Sequence, residues 1–135
     1  MAYTIITFNA RDAWHRDIYS FRVNMVTHEL SVEYSNNTGG RTMNGVVLNE
    51  KQYNHIKRLT SPLMFEKYRD GAWKKNTEWL LDPNDWNVRF ISDDGTPMLT
   101  MESNLESYSA PPALVALVEY IMHIGAFENM GHRLF

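Results

Sequence analysis

Histidine and acidic side chains are the residues of this 135-residue chain that could hold a metal ion or transfer protons. No two histidines are four residues apart, as the helical zinc motif H-E-x-x-H requires. The chain has no cysteine, which excludes thiol catalysis, disulfides and thiolate metal sites. We therefore predict no metal site and no cofactor. The histidines are His15, His28, His55, His123 and His132.

Four aspartates lie close together in the sequence: Asp82, Asp85, Asp93 and Asp94. Paired carboxylates can act as acid and base or bind Ca²⁺. Their spacing matches no calcium loop, and both pairs fall beside proline, asparagine or glycine, where turns are expected. We interpret them as turn residues.

The segment 37–41 superficially resembles a phosphate-binding loop but lacks the G-K-[ST] ending, so we interpret it as a hairpin turn.

Tryptophan is the least ordinary component of the composition, with four copies. Trp86 alternates with polar residues and is predicted to lie in the core. The other three lie in charged segments without helical or strand periodicity. Tryptophan beside a cation is typical of interface hot spots, although such residues can also cover a core under loops. The predicted partner-binding residues are Trp14, Arg16, Trp73, Lys74, Lys75 and Trp79.

The main functional hypothesis is a non-enzymatic protein-interaction module, such as a small bacterial or phage accessory, inhibitor or immunity protein. The missing catalytic signature, the small size and the tryptophans beside charges motivate it. The predicted partner is another protein, and a homo-oligomer is a second option. The alternative is a small hydrolase or transferase in which His15, Asp82 and Asp85 meet in a cleft.

A further alternative is a weak binder of single-stranded nucleic acid. In this hypothesis a base stacks on Trp73 or Trp79 while nearby cations meet phosphates. The formal net charge of −3 argues against it, because phosphate recognition needs a basic surface. Residues 50–80 nevertheless carry seven basic and four acidic side chains. The cations in question are Lys67, Arg69, Lys74 and Lys75.

Length and composition predict a single domain over residues 1–135. Hydrophobic residues make up 44% and charged residues 21%, close to the averages for globular domains. No apolar run approaches the roughly 20 residues that span a bilayer, and the N-terminus has no basic segment of the secretory type. We therefore expect a cytoplasmic protein without membrane association.

The first third of the chain has the period-2 pattern of strands. A β-branched run covers Thr4–Phe8, and apolar residues alternate with polar ones over 19–24 and again over 30–35. The short link between the two alternating runs predicts a hairpin. A further strand is expected over 41–48.

The pattern then changes to helical spacing. Asn49 and Gln52 form a capping-box pair, and Pro62 is expected to end the helix near residue 61. Strand alternation returns over 86–91 and 98–103 around the tight turn 93–95. A last amphipathic helix, capped by Ser109, is predicted to extend to Gly125. This order predicts an α+β fold with an antiparallel sheet of five or six strands and two main helices.

The stretch 82–121 resembles a pattern found in small uncharacterised bacterial α+β proteins. The resemblance implies an α+β fold and no particular activity. It rests on an Asp-rich turn, a strand that begins with tryptophan, an Asp-Gly hairpin, a Ser-Asn element, a proline pair and a final amphipathic helix. These elements are Asp82, Trp86, Asp94-Gly95, Ser103-Asn104, Pro111-Pro112 and Leu114–Ile121.

Overall fold

The computed structural model describes residues 3–12, 17–36, 39–64, 85–103 and 110–125. Their elements are β1 (Tyr3–Asp12), β2 (Asp17–Asn24), β3 (Glu29–Asn36), β4 (Gly39–Val47), α1 (Glu50–Thr60), β5 (Asp85–Ser92), β6 (Pro97–Glu102) and α2 (Pro112–Ile124). The six strands form one antiparallel sheet in the order β4-β3-β2-β1-β5-β6, which together with the two helices confirms the predicted α+β class.

The alternation read in the sequence determines which face of the sheet is buried. Paired residues point to the same side, so the register Phe21–Phe8–Val88 extends one apolar row across β2, β1 and β5. Both helices contribute to the same hydrophobic core as this row. We call this side the covered face. Its fully buried residues include Ile6, Phe8, Tyr19, Phe21, Val23, Leu30, Val32, Tyr34, Trp86, Val88 and Phe90.

A register shift near the start of β1 brings Tyr3 to the covered face. The shift lies between Tyr3 and Ile5 and breaks the strict alternation of the strand. The Tyr3 ring then packs edge-on against Phe90, with 5.2 Å between ring centroids. Its hydroxyl hydrogen-bonds the hydroxyl of Thr60 at the end of α1. Burial raises the pKa of this phenol, and the bond to Thr60 partly opposes that effect.

The predicted capping box starts α1. The Asn49 side chain accepts a hydrogen bond from the Gln52 amide at 2.8 Å, and the Gln52 side chain accepts one from the Asn49 amide at 3.0 Å. The 3₁₀ turn Ser61–Met64 follows the helix, so Pro62 lies just beyond its end. Helix α1 buries Ile56 and Thr60 toward the sheet.

The prediction that Ser109 caps the last helix is wrong. The N-cap of α2 is Pro111, which makes no side-chain capping bond, and Pro112 occupies the first helical turn. Proline suits that turn because its missing N–H would have no partner there. The mostly apolar α2 buries Leu114, Leu117, Ile121 and other residues against the sheet. In the part of the chain that the structure describes, no helix has the length and apolarity needed to span a membrane.

Strand β4 forms one edge of the described sheet and is mostly exposed. Its pairing with β3 is interrupted by a register shift between Leu30 and Val32. Gly45 lies opposite this irregularity with a φ of +62°, a conformation that glycine adopts without steric cost. The edge strand is therefore kinked midway along its length.

Candidate functional site

The side of the sheet opposite the helices carries polar residues on every strand. They alternate with the buried residues of the covered face, so the same period-2 pattern creates both surfaces. We call this surface the open face. On it lie Ile5, Thr7, Asn9 and Arg11 of β1, Ile18, Ser20 and Arg22 of β2, Glu29, Ser31 and Glu33 of β3, Thr42 of β4, Asp85, Asn87, Arg89 and Ile91 of β5, and Thr100 and Glu102 of β6. The isoleucines lie toward the strand ends, and the centre is polar.

Two shallow hollows mark the open face, and they share Asn9. Each has a volume of about 350 Å³. The first contains Arg22 and Glu33 together with hydroxyl side chains. The second contains Arg11 with Asp85 and Glu102, together with the exposed side chain of Ile18. The surface between the central strands is therefore concave, and charged and polar side chains line it together with one isoleucine.

Arginines occupy the centre of the open face. Arg22 and Arg89 both pair in register with Thr7, one on each side of β1. Two strand spacings therefore separate them, roughly 10 Å. Both side chains are exposed. We call these two residues the arginine pair.

Acidic residues lie around this pair. Glu33 is diagonal to Arg22 across the β2–β3 pairing, and Glu102 is diagonal to Arg89 across the β5–β6 pairing. Glu29 is the other diagonal neighbour of Arg22, and Asp85 pairs in register with Arg11. We call these four carboxylates the acidic rim. The arginine pair lies in the row Ser31–Arg22–Thr7–Arg89–Thr100, and two glutamates lie at the ends of the next row, Glu33–Ser20–Asn9–Asn87–Glu102.

The side chains of the arginine pair form no ion pairs with the described residues. A diagonal neighbour lies within reach of a long side chain, yet among the described residues no ion pair joins Arg22 or Arg89 to Glu33 or Glu102. Among the residues that the structure describes, the Asn9 amide of the open face donates to the Asn87 side-chain oxygen at 3.4 Å, and the Ser31 hydroxyl accepts a hydrogen bond from the Gly45 amide at 3.2 Å. The charged groups of the open face thus remain available to a partner.

The partner-binding residues predicted from the sequence lie outside the described residues. This applies to Trp14, Arg16, Trp73, Lys74, Lys75 and Trp79, and to the cations Lys67 and Arg69. Trp86, in contrast, is 2% exposed, which confirms its predicted place in the core.

The enzymatic alternative gains no support from the described residues. His15 and Asp82 lie outside them, and Asp85 is exposed at the first position of β5. The described residues contain no group of three histidine, aspartate or glutamate side chains that could hold a metal ion.

Two described histidines instead make structural contacts. His28 stacks on Tyr53 with 3.7 Å between ring centroids. His55 packs against Tyr120 and lies within hydrogen-bonding distance of Arg58.

Asp94 confirms the interpretation of the Asp-Gly segment as a turn. Its carboxylate accepts hydrogen bonds from the Ser92 hydroxyl at 2.5 Å and from the Thr96 amide at 2.9 Å. These bonds, the one from Ser92 first, lower the pKa of Asp94 to about 2. The carboxylate holds the β5–β6 turn together, so it is not free for chemistry.

Reasoning from the sequence missed the arginine pair. Arg22 and Arg89 each appear as the polar member of an alternating run, which does show that they face away from the core. The runs are distant in sequence, and only the strand order places both beside β1. No local pattern in the sequence predicts that strand order.

The chain was also compared with other proteins. No protein-family model, no curated protein and no solved structure matches it.

Proposed function

We propose that this protein is a non-enzymatic interaction module that binds another protein through the open face of its sheet. The observation that carries the proposal is the uncovered arginine pair at the centre of that face. Neither guanidinium makes an ion pair within the described part of the chain, so the two exposed groups offer ten N–H donors to a partner, since each guanidinium carries about five.

The distribution of cations supports an interface on this side. All cations of the open face are arginines, namely Arg11, Arg22 and Arg89, whereas the described lysines are Lys51 and Lys57 on α1. Protein interfaces are enriched in arginine and depleted in lysine. The planar guanidinium binds carboxylates with two parallel hydrogen bonds and loses less freedom than an ammonium group in doing so.

The polarity of the open face indicates the kind of complex. Obligate interfaces are mostly apolar, whereas the central open-face residues are hydroxyl, amide and guanidinium side chains. A polar surface of this kind suits a transient complex whose formation is accelerated by charge attraction. The protein therefore folds without its partner and associates reversibly, in keeping with an accessory or inhibitor role.

Site-specific photocrosslinking tests the proposal. A photoreactive benzoylphenylalanine replaces Ser20 on the open face in one variant and Asn54 on the exposed side of α1 in the matched control. Each variant is irradiated in its native host cells. We expect a discrete protein adduct from the Ser20 position and none from Asn54. Equal labelling at both positions, or no adduct at Ser20, would overturn the proposal.

A further inference from the structure

We infer that the partner presents acidic side chains flanked by basic ones, so that its charges complement the arginine pair and the acidic rim. This inference rests on the proposed function and specifies the chemistry of the partner. On this chain Arg22, Thr7 and Arg89 lie in one row across β2, β1 and β5, and Glu33 and Glu102 lie in the next row along the strands, on β3 and β6.

The dimensions of the pattern limit the matching surface. Adjacent strands lie about 4.8 Å apart, so the arginines are separated by roughly 10 Å and the two glutamates by roughly 19 Å. A partner must therefore place two carboxylates about three residues of extended chain apart, or about two turns of helix apart. Basic groups must follow on both sides. A segment of one helix or one loop is large enough to do this.

The acidic rim distinguishes a protein partner from a nucleic acid. A phosphate backbone that crosses the arginine pair along its row would continue over Ser31 or Thr100, and the glutamate two residues farther along the same strand, Glu33 or Glu102, would repel it there. The described open face also carries no aromatic side chain on which a base could stack. A short acidic segment that ends in basic residues avoids both problems.

A second copy of the chain is a poorer occupant. Rotation about a two-fold axis along β1 would place Arg22 of one copy over Arg89 of the other, and Glu33 over Glu102. Like charges would then meet at four places. A shift of one strand relieves this repulsion but leaves Arg22 opposite the neutral Thr7.

Two synthetic peptides of identical composition test the inference. The first has glutamates at its centre and lysines at both ends. The second has lysines at its centre and glutamates at both ends. Because their net charges are equal, general electrostatic attraction cannot favour either one. At low ionic strength we expect the full-length protein to bind the first peptide at least about tenfold more tightly, with amide shift changes centred on Arg22, Thr7 and Arg89.

A charge-inverted variant tests whether the preference between the peptides follows the charges of the open face. It combines Arg22→Glu, Arg89→Glu, Glu33→Arg and Glu102→Arg, and we expect its preference between the peptides to reverse. Should this variant fail to fold, Arg22→Glu with Arg89→Glu alone is expected to abolish the preference of the wild type. Equal affinity for both peptides, or binding of neither, would contradict the inference.

Mixed-sequence single-stranded DNA is the third probe. We expect it to bind more weakly than the first peptide and to gain affinity in the variant Glu33→Gln with Glu102→Gln, which removes two charges of the rim. The inference would be overturned if the wild-type protein bound DNA more tightly than the first peptide. It would also be overturned if the wild type dimerised with increasing concentration and the variant Arg22→Glu with Arg89→Glu did not. A Ser20 adduct with a different protein, together with equal affinity for the two peptides, would contradict this inference and leave the proposed function intact, whereas dimerisation through the arginine pair would contradict both.

Discussion

The two faces of the sheet are formed by the same strands and the same alternation of residues, yet one face is buried and the other is exposed to solvent. On the covered face, Phe8, Phe21 and Val88 meet in one row and exclude water. On the open face, the next row places Arg22 and Arg89 beside Thr7, where the charged groups stay hydrated. Stability therefore depends on the covered face, whereas partner choice would depend on the open face under the proposed function, so substitutions should separate the two properties.

The largest expected effect comes from the covered face. Trp86→Ala removes a side chain that is 2% exposed, so we expect it to lower the free energy of unfolding by about 3–5 kcal/mol. Its sequence neighbour Asn87 points to the open face, and Asn87→Ala should change stability by less than about 0.5 kcal/mol. Urea denaturation followed by circular dichroism measures both. Similar losses for the two variants would break the distinction between the faces.

Polar contacts should also count for more on the covered face. Tyr3→Phe removes the hydroxyl that bonds Thr60, while Thr60 keeps its bond to the Lys57 carbonyl at 3.1 Å. We expect a loss of about 1 kcal/mol, the usual contribution of one such bond. Ser20→Ala on the open face is the matched control, with an expected change near zero. A neutral Tyr3→Phe variant would show that this bond between sheet and helix contributes nothing.

The arginine pair should be dispensable for folding. Arg22→Ala combined with Arg89→Ala removes two exposed side chains that form no ion pair with any described residue, so we expect the free energy of unfolding to change by less than about 0.5 kcal/mol. Heat and urea denaturation of this variant measure the change. A loss above 2 kcal/mol would mean that the pair is structural, and the functional interpretation of the open face would then have no basis.

The comparison between buried and surface side chains can also be applied to two tryptophans outside the described residues. The polar sequence around Trp73 and Trp79 predicts that at least one of them behaves as a surface residue. Its change to alanine should then leave stability within about 0.5 kcal/mol, in contrast to Trp86→Ala. Single-variant denaturation curves provide the measurement. If both variants unfold as readily as Trp86→Ala, the prediction of a binding surface in that segment is wrong.

The smallest expected effect is a titration in the β5–β6 turn. Hydrogen bonds from Ser92 and Thr96 hold the pKa of Asp94 at about 2, below its ordinary 3.8. Because the folded pKa is the lower one, the carboxylate's stabilising contribution is complete above about pH 4 and is lost as the pH falls toward 2. Carboxyl NMR titration should show this pKa, and Ser92→Ala should raise it. An unchanged pKa in Ser92→Ala would assign the shift to the Thr96 amide.

Local patterns were sufficient to predict most elements and both faces of the sheet. Alternation marks β2 and β3, the Asn49–Gln52 pair marks the start of α1, and the Asp-Gly dipeptide marks the last hairpin. Such features depend on residues close together in the chain, so the sequence contains the relevant information.

The candidate site depends instead on strand order. Residues 22 and 89 become neighbours of the same strand only because β5 pairs with the outer side of β1. No local pattern encodes that pairing. The start of α2 was mispredicted for a related reason, since Ser109 is a good capping residue and the helix begins at a proline pair that needs no cap.

The kink in β4 bears on how the protein behaves at high concentration. A straight, exposed edge strand offers a row of free amide and carbonyl groups on which another molecule's strand can pair, and repeated pairing leads to aggregates. In β4, the left-handed conformation of Gly45 and the register shift beside Leu30 interrupt the regular spacing of these backbone amide and carbonyl groups. An incoming strand could then form only a few consecutive bonds before the spacing fails. The glycine and the register shift thus make this edge a poor template for edge-to-edge pairing.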